Sequence, residues 1–434
     1  MKFSRGFLRY ARNTGFLLFE KVVRSVVNVV IWAMVVRYLG PEQFGILSYV
    51  LSFVFLFNIL SDLGLDSIIV RELIKDKTLE NKILGTTFFI KLVGAFLAAF
   101  LILGIVSFRH SDTMMIQMMF LLSLRMIFQS LNGIDYYFQS HVLSKYTVYS
   151  QLLGLVATTA LCLIFIYLKK SLIYFSAVIL IESIVIGLGL IFFYQHTRQN
   201  MMPWKVDWVI LKRLFADSWP LILSGIAVSI YMRIDQIMIK DMIGRAAVGY
   251  YSAAVRVSEV FYFIPILLTS SLFPAIVNAR LNDNILYRNR LKALLSLLMY
   301  LGVGISFMMA IFAPWVIKML YGDQFLPSVS VLSIHIWSNV FVFLGVARTR
   351  WMINENLQIF SAPYLLLAAA VNVLLNLYWI PRYGINGAAA ATVAAQFIAA
   401  VFSNLLSRKT QPMFFLQMSS INFVSLLKNR ISHP

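Results

Sequence analysis

Ten charged residues lie inside otherwise apolar stretches of this chain: Glu20, Lys21, Arg24, Lys91, Arg125, Glu182, Arg233, Asp235, Arg256 and Glu259. A charge in hydrocarbon costs about 3 kcal/mol or more unless it faces a counter-charge or water, so each implies a partner or a cavity. Helical spacing sorts them by face. Glu20, Arg24 and Asn28 share one stripe, Arg125, Gln129 and Asn132 another, and Ser229, Arg233, Gln236 and Lys240 a third. Lys21 points about 100° from Glu20, and Asp235 about 200° from Arg233, at 100° per residue. Arg256 and Glu259 are spaced for an i, i+3 pair. Shorter polar stripes occur at His335/Asn339, Asn372/Asn376 and Thr392/Gln396. His335 reads as a hydrogen-bonded packing residue, and Asp62 and Asp135, near helix ends, as wetted groups.

So many polar stripes predict a hydrated cavity. Its first half carries Lys21, Arg24, Lys91 and Arg125 against Glu20 and Glu182, while Arg233 and Arg256 balance Asp235 and Glu259 in the second. A cationic surplus suits an anionic ligand, and a guanidinium fits phosphate oxygens bidentately. The structural alternative, internal pairs plus snorkelling side chains, stays open for each residue.

The elements that position these residues are membrane helices. The chain of 434 residues is 60% hydrophobic and 13% charged, with mean hydropathy +0.81. A soluble domain is closer to half apolar and a quarter charged. Roughly 20 apolar residues cross the hydrocarbon as a helix. Twelve segments qualify, near 14–38, 44–63, 84–107, 114–138, 146–168, 172–195, 218–240, 246–272, 293–317, 329–347, 359–380 and 387–406. The polar break at 196–217 divides an N-terminal six-helix lobe, 1–195, from a C-terminal one, 218–406. The segment 407–434 reads as a cytoplasmic tail, frayed or interfacial. Gly40 and Gly45 are echoed by Gly244 and Gly249 at the same point of each half, as in a parallel repeat. That turn makes the seventh and eighth helices antiparallel neighbours, with Arg256 the expected partner of Asp235.

Net charge is +19, from 37 Lys and Arg against 18 Asp and Glu. With both termini cytoplasmic, the tails and inner loops, Arg348 and Arg350 among them, hold twenty-three of these positive residues and the outer loops eight. The bias favours membrane orientation over nucleic-acid binding. The first apolar run carries Glu20, Lys21 and Arg24 and lacks a small-residue cleavage site, so it reads as a retained helix. Cys162 is the one cysteine, which excludes an intrachain disulfide or cysteine cluster. No phosphate-binding glycine loop, metal-spaced cluster or nucleophile elbow is present. No cofactor is expected, and the chemistry points to a carrier, not an enzyme.

The run Arg37-Tyr-Leu-Gly-Pro-Glu-Gln-Phe-Gly45-Ile-Leu-Ser, then Asp62-Leu-Gly-Leu, resembles the opening of polysaccharide repeat-unit flippases of the Wzx type. Ile234-Asp235-Gln-Ile-Met-Ile, Val248-Gly-Tyr-Tyr-Ser-Ala-Ala-Val-Arg256-Val-Ser-Glu259 and Phe263-Ile-Pro265 resemble their seventh and eighth helices, and Tyr383-Gly-Ile-Asn-Gly-Ala-Ala fits their twelfth. The resemblance implies two six-helix lobes around a central cavity, a fold shared with multidrug exporters and lipid II flippases. It implies the transfer of an undecaprenyl-pyrophosphate-linked glycan, an O-antigen or capsule repeat unit, to the outer leaflet of a bacterial inner membrane. The lipid bilayer, a polysaccharide polymerase and a chain-length regulator are the implied partners.

In that picture Arg24, Lys91, Arg125 and Arg233 are the candidates for the phosphates, on the physical argument above. Glu20, Glu182, Asp235, Arg256 and Glu259 are candidates for coupling or gating. The rival readings are a multispan polymerase or acyltransferase, and a drug or lipid II carrier of the same fold. The charge bias yields a direct test. Reporter fusions after residues 200 and 285 should read cytoplasmic, and those after 110 and 243 external. An external signal at 200 would overturn the six-plus-six arrangement.

Overall fold

The computed structural model describes residues 5–109 and 112–421, and within them the secondary structure is entirely helical. Lys2, Lys428, Arg430 and the rest of the tail after Ile421 lie outside the described residues. The chain forms two compact units, Met1–Ser229 and Ile230–Pro434. The first contains α1 (Arg5–Asp62), α2 (Asp66–Lys75), α3 (Glu80–Arg109), α4 (Thr113–Gln129), α5 (Gly133–Ser140), α6 (Lys145–Tyr167) and α7 (Leu172–His196). The boundary falls inside α8 (Trp208–Met242). The second holds α9 (Arg245–Glu259), α10 (Phe263–Asn282), α11 (Asn284–Tyr321), α12 (Ser328–His335), α13 (Ser338–Asn354), α14 (Ser361–Ala400) and α15 (Gln411–Ser419).

Among the described residues, ten helical stretches are long and apolar enough to cross a membrane. Two of them cannot be single spans. A 58-residue helix such as α1 would extend about 87 Å, nearly three hydrocarbon thicknesses. It breaks at Gly40 (φ 73°, ψ 174°), just before Pro41. The 40-residue α14 breaks at Gly384 (φ 61°, ψ −142°). With these two breaks, the ten stretches account for the twelve expected spans. Gly244 (φ 133°, ψ −179°) opens α9 and Gly322 (φ 83°, ψ 177°) closes α11 in related conformations. A Cβ disfavours this region, so glycine supplies each turn. Gly40 and Gly244, the leading glycines of the sequence echo, thus perform the same backbone task in the two units.

Side chains follow the solvent. Phe100, Phe108, Val156, Phe192 and Trp315 are exposed, as lipid-facing residues are. In the first unit, Leu65, Ile69, Leu73, Ile134, Phe138 and Tyr194 form a buried core. The 196–217 stretch packs against it: Trp204 lies 5.9 Å from the Tyr194 ring, the Asp207 amide donates to Thr86, and Lys82 pairs with Asp207 at 3.0 Å. That hydrogen bond from Lys82, with the N–H groups opening α8, holds the Asp207 carboxyl below its usual range. The stretch expected as a linker is therefore part of the first unit's packing.

In the second unit, Leu295, Leu298, Phe343, Ala347, Trp351 and Met413 pack together. Residues 407–421 are packed onto the second unit and are not frayed. Gln417 donates to the Ala400 carbonyl at 3.0 Å and Ser296 to the Ser420 carbonyl at 3.1 Å, and Thr410 meets the Tyr364 hydroxyl. Arg348 also departs from expectation. Read as a loop cation, it is buried inside α13 and donates to the Ala399 carbonyl and Ser403 at the end of α14. A cation there offsets the negative end of the helix dipole and meets a carbonyl with no intrahelical partner.

Gly94 allows α3 to approach the α1 backbone closely. A Cβ there would collide with the Leu60 carbonyl and lie 3.2 Å from Ser61 Cα. Gly94→Val should force α3 away from α1 and destabilise the protein by about 1–3 kcal/mol. Thermal unfolding in detergent micelles reads this directly; an unchanged midpoint would contradict the close approach.

Candidate functional site

The first unit gathers a polar chain from the α1 and α4 stripes, with further groups from α3, α6 and α7. Glu20 and Arg24, one turn apart on α1, form an ion pair at 2.5 Å. The other guanidinium nitrogens reach Glu182 on α7 at 2.9 Å and the Gln151 carbonyl on α6 at 2.8 Å. With its amide turned to satisfy its neighbours, Gln151 donates to both Glu20 oxygens at 3.0 Å. The Arg24 fork is thus shared between two carboxylates and a carbonyl.

Arg125 on α4 is placed differently. Its Nε donates to the Ser183 hydroxyl at 3.2 Å, and the Gln129 amide oxygen, in the orientation the network requires, accepts from it at 3.1 and 3.2 Å. Among the described residues, Arg125 is the cation of this chain that bonds only neutral groups. It is partly exposed. From Gln129 the chain passes to Asn58 at 3.2 Å and from Asn58 to Asp62 at 2.9 Å.

Lys91 ends the chain, and its side chain is fully buried. Its ammonium meets Asp62 at 3.3 Å, Asp66 at 3.4 Å and the Tyr136 hydroxyl at 2.7 Å, while Tyr136 also donates to Asp66. Local chain geometry explains the double clamp. Leu63 and Gly64 both have positive φ, 51° and 63°, and turn the backbone between the end of α1 and the start of α2. Asp62 and Asp66 consequently close on one ammonium from two helices. Gly94, one turn along α3 from Lys91, permits the helix approach that this contact needs.

Two expectations change here. Lys91 has its three donors filled by protein groups and no donor left for a phosphate. The cationic surplus also disappears: Arg24, Lys91 and Arg125 stand among Glu20, Glu182, Asp62 and Asp66. Asp62, read as a wetted helix-end group, keeps part of its side chain exposed and serves in addition as a counter-ion of Lys91. Asp135 likewise has protein donors, Thr147 at 2.5 Å and Gln139 at 2.9 Å. Lys21 is exposed, away from its neighbours Glu20 and Arg24.

The second unit handles charge mainly with hydroxyls and amides. Arg233 on α8 pairs with Glu259 on α9 at 3.1 Å. Buried Asp235 accepts from the Tyr251 hydroxyl of α9, from Thr392 of α14 at 3.0 Å and from the Gln236 amide at 2.9 Å. Gln236 in turn accepts from Ser252 at 3.0 Å. The expected Asp235–Arg256 pair is therefore replaced. Glu259 reaches across to Arg233, and two hydroxyls converge on Asp235 Oδ2 where Arg256 was expected. The 200° separation on α8 holds, since Arg233 and Asp235 go to different partners. His335 is buried and bonds Ser258 at 3.0 Å, the packing role read from its sequence context. Asn372 and Asn376 are fully buried, bonded to each other at 3.1 Å.

Sequence reasoning missed Asp66, Tyr136 and Tyr251, because a tyrosine near a span reads as an interface anchor. Gln151 lay on no recognised stripe. The signal for Asp66 was its distance of four residues from Asp62 across a Leu-Gly turn. Among the described residues, no three His, Cys, Asp or Glu side chains converge as a metal set.

Comparisons with known proteins agree with this architecture. An inward-facing multidrug resistance MATE family transporter of the MOP superfamily superposes with TM-score 0.72 at 15% identity, over 90% of this chain and 95% of the other. The lipid II flippase MurJ, in an inward closed conformation, gives 0.71 at 14% identity, over 98% and 93%. At such identities the likeness establishes the fold, that of these multi-pass membrane transporters. A Haloferax volcanii protein described as "Probable flippase AglR" is 26% identical over 187 residues, 40% of this chain and 37% of that protein. The chain thus matches little more than a third of that relative's length. The family described as "Polysaccharide biosynthesis protein" matches residues 10–280, more than half of the sequence, and the chain belongs to that family.

Proposed function

We propose that the protein is a flippase for a lipid-linked oligosaccharide, moving an undecaprenyl-pyrophosphate-linked repeat unit of O-antigen or capsule to the outer leaflet by alternating access. A bacterial inner membrane, with both termini cytoplasmic, is the setting this reading requires. The family and the fold support a carrier in polysaccharide assembly and give no support to a polymerase or acyltransferase. The observation that carries the ligand assignment is Arg125, a cation at mid-span that bonds only Ser183 and Gln129. Neutral partners can be replaced by a phosphate without breaking an ion pair, since Glu182 and Asp62 act on the guanidinium only through space.

Arg24 serves this reading by exchange. A pyrophosphate would have to displace Glu182 or Glu20 from the guanidinium, and a freed carboxylate would then favour a proton or other cation. Cargo binding and cation uptake would be coupled through one side chain. Arg233 has the same logic with Glu259. Lys91 moves from the ligand set to the frame that positions α1, α2 and α3. Asp235, held by hydroxyls within α8, α9 and α14, is the second unit's candidate for coupling.

One observation favours another cargo. The carboxylates around Arg24, Arg125 and Lys91 outnumber those cations, which suits a positively charged drug better than a pyrophosphate. The two readings separate on Arg125. Arg125→Ala should keep the protein inserted and reduce delivery of lipid-linked glycan to the outer leaflet by about 2–3 kcal/mol of lost binding, or roughly 30- to 150-fold. Arg125→Lys should recover part of it, because charge survives while the fork is lost. Full glycan export in the alanine variant, or export of cationic dyes that rises in it, would reject the phosphate role.

The Arg233–Glu259 pair gives a second measurement. Glu259→Ala leaves a largely buried guanidinium without its counter-ion and should destabilise the protein by about 1–3 kcal/mol. The exchange Arg233→Glu with Glu259→Arg should restore part of that loss in the detergent unfolding midpoint. A double exchange no better than the single variants would show that the pair does not hold α8 to α9.

A further inference from the structure

The second unit contains a groove of about 580 Å³ that the transport reading does not use, bordered by the ends of α10, α11 and α13 and by α15. Its charges are unevenly committed. Glu355 is neutralised internally: Oε2 accepts from Arg280 at 2.7 Å and Oε1 from the Tyr287 hydroxyl at 2.7 Å. Arg280 also caps the Asn354 carbonyl at 2.6 Å. Arg288 and Lys409 line the same groove, are both exposed, and make no ion pair among the described residues. The groove therefore carries two uncompensated positive charges, beside the amide side chain of Asn284.

Its place in the fold identifies the class of ligand. Arg280 ends one membrane-length stretch, Asn284 begins the next, and Glu355 and Leu357 connect two others. The groove thus lies where membrane helices enter and leave the bilayer, the depth of lipid phosphates. Its remaining wall is apolar, formed by Leu291, Trp351, Pro412 and Leu416. Beside it Ile285, Ile359 and Phe415 are exposed, as acyl-chain contacts would be. Positive charge above an apolar wall fits an amphiphile better than a free anion.

We propose that this groove binds the phosphate of an anionic glycerophospholipid, such as phosphatidylglycerol, through Arg288 and Lys409, with the lipid's chains along the α15 side. The site is separate from the Arg125 chain and stands whether or not that chain carries an isoprenoid pyrophosphate. Phosphate is common to three sources: the glycerophospholipid, the isoprenoid carrier and a soluble ion. The experiment must separate them.

The delipidated full-length protein, in neutral detergent, is titrated with phosphatidylglycerol, phosphatidylcholine, undecaprenyl phosphate, or soluble glycerophosphate, and the unfolding midpoint is followed. Phosphatidylglycerol should raise the midpoint saturably and phosphatidylcholine should not. In the Arg288→Gln/Lys409→Gln double variant, apparent affinity should fall roughly thirtyfold, at about 1 kcal/mol per basic residue near a lipid surface. Both side chains are exposed and free of ion pairs, so the lipid-free midpoint of the variant should match the wild type. Native mass spectrometry of the wild type alone should show retained phosphatidylglycerol that excess undecaprenyl phosphate does not displace. Equal responses to both phospholipids, an equal effect of soluble glycerophosphate, displacement by undecaprenyl phosphate, or undiminished affinity in the double variant would each overturn the proposal.

Discussion

Lys91 is enclosed by protein in a segment apolar enough to cross a membrane, and an ammonium there remains charged only beside compensating charge. That compensation fixes much else in the first unit. Asp62 and Asp66 must come from two sides, which requires the Leu63–Gly64 reversal between α1 and α2. The α3 backbone must approach α1, which requires a residue without a side chain at Gly94. Tyr136 must present its hydroxyl, which fixes the rotation of α5. From Asp62 the same electrostatic demand passes through Asn58 and Gln129 to Arg125. A mainly apolar helix bundle has little directional preference of its own, because lipid solvates apolar faces as well as protein does. The polar chain supplies the direction.

The positions of the spans were legible in the sequence because two strong periodic signals mark them: apolar length and breaking glycines. Gly40 and Gly244 even disclosed their shared role, through an echo of only a few residues. The i, i+4 relation of Glu20 and Arg24 was readable for the same reason, since helix geometry alone decides it. Contacts between helices were not readable. Arg24 meets Glu182 across 158 positions of sequence, and nothing local distinguishes that carboxylate from any other. The charge count failed at helix ends. Asp62 resembled a solvated helix end and Asp66 drew no notice, yet the turn between them brings both carboxylates onto the buried Lys91 while leaving them partly in solvent.

Arg348 and Asp235 show the complementary failure, of partner type. A buried charge does not always find an opposite charge. Arg348 is satisfied by a helix-end carbonyl and a serine, and Asp235 by two hydroxyls and an amide. Such partners carry no formal charge, so a search for complementary charges overlooks them. Hydrogen bonds to a carboxylate are nonetheless worth roughly 1.5–3 kcal/mol each, enough to compete with a distant cation.

The two units therefore share a backbone plan and differ in electrostatics. Gly40 and Gly244 set equivalent turns, but the first unit binds charge to charge, while the second surrounds its central carboxylate with Tyr251, Thr392 and Gln236. These arrangements respond differently when a cation arrives. In the first, a cation or proton reaching Glu20 or Glu182 must break an existing ion pair, whereas an anion at Arg125 displaces only neutral groups. In the second, a cation meets a carboxylate whose hydroxyl partners can turn from donors to acceptors, since each oxygen keeps free lone pairs. Under the proposed function, an anion at Arg125 and a cation at Asp235 would then occupy separate places, and neither would require the other's residues to be rebuilt.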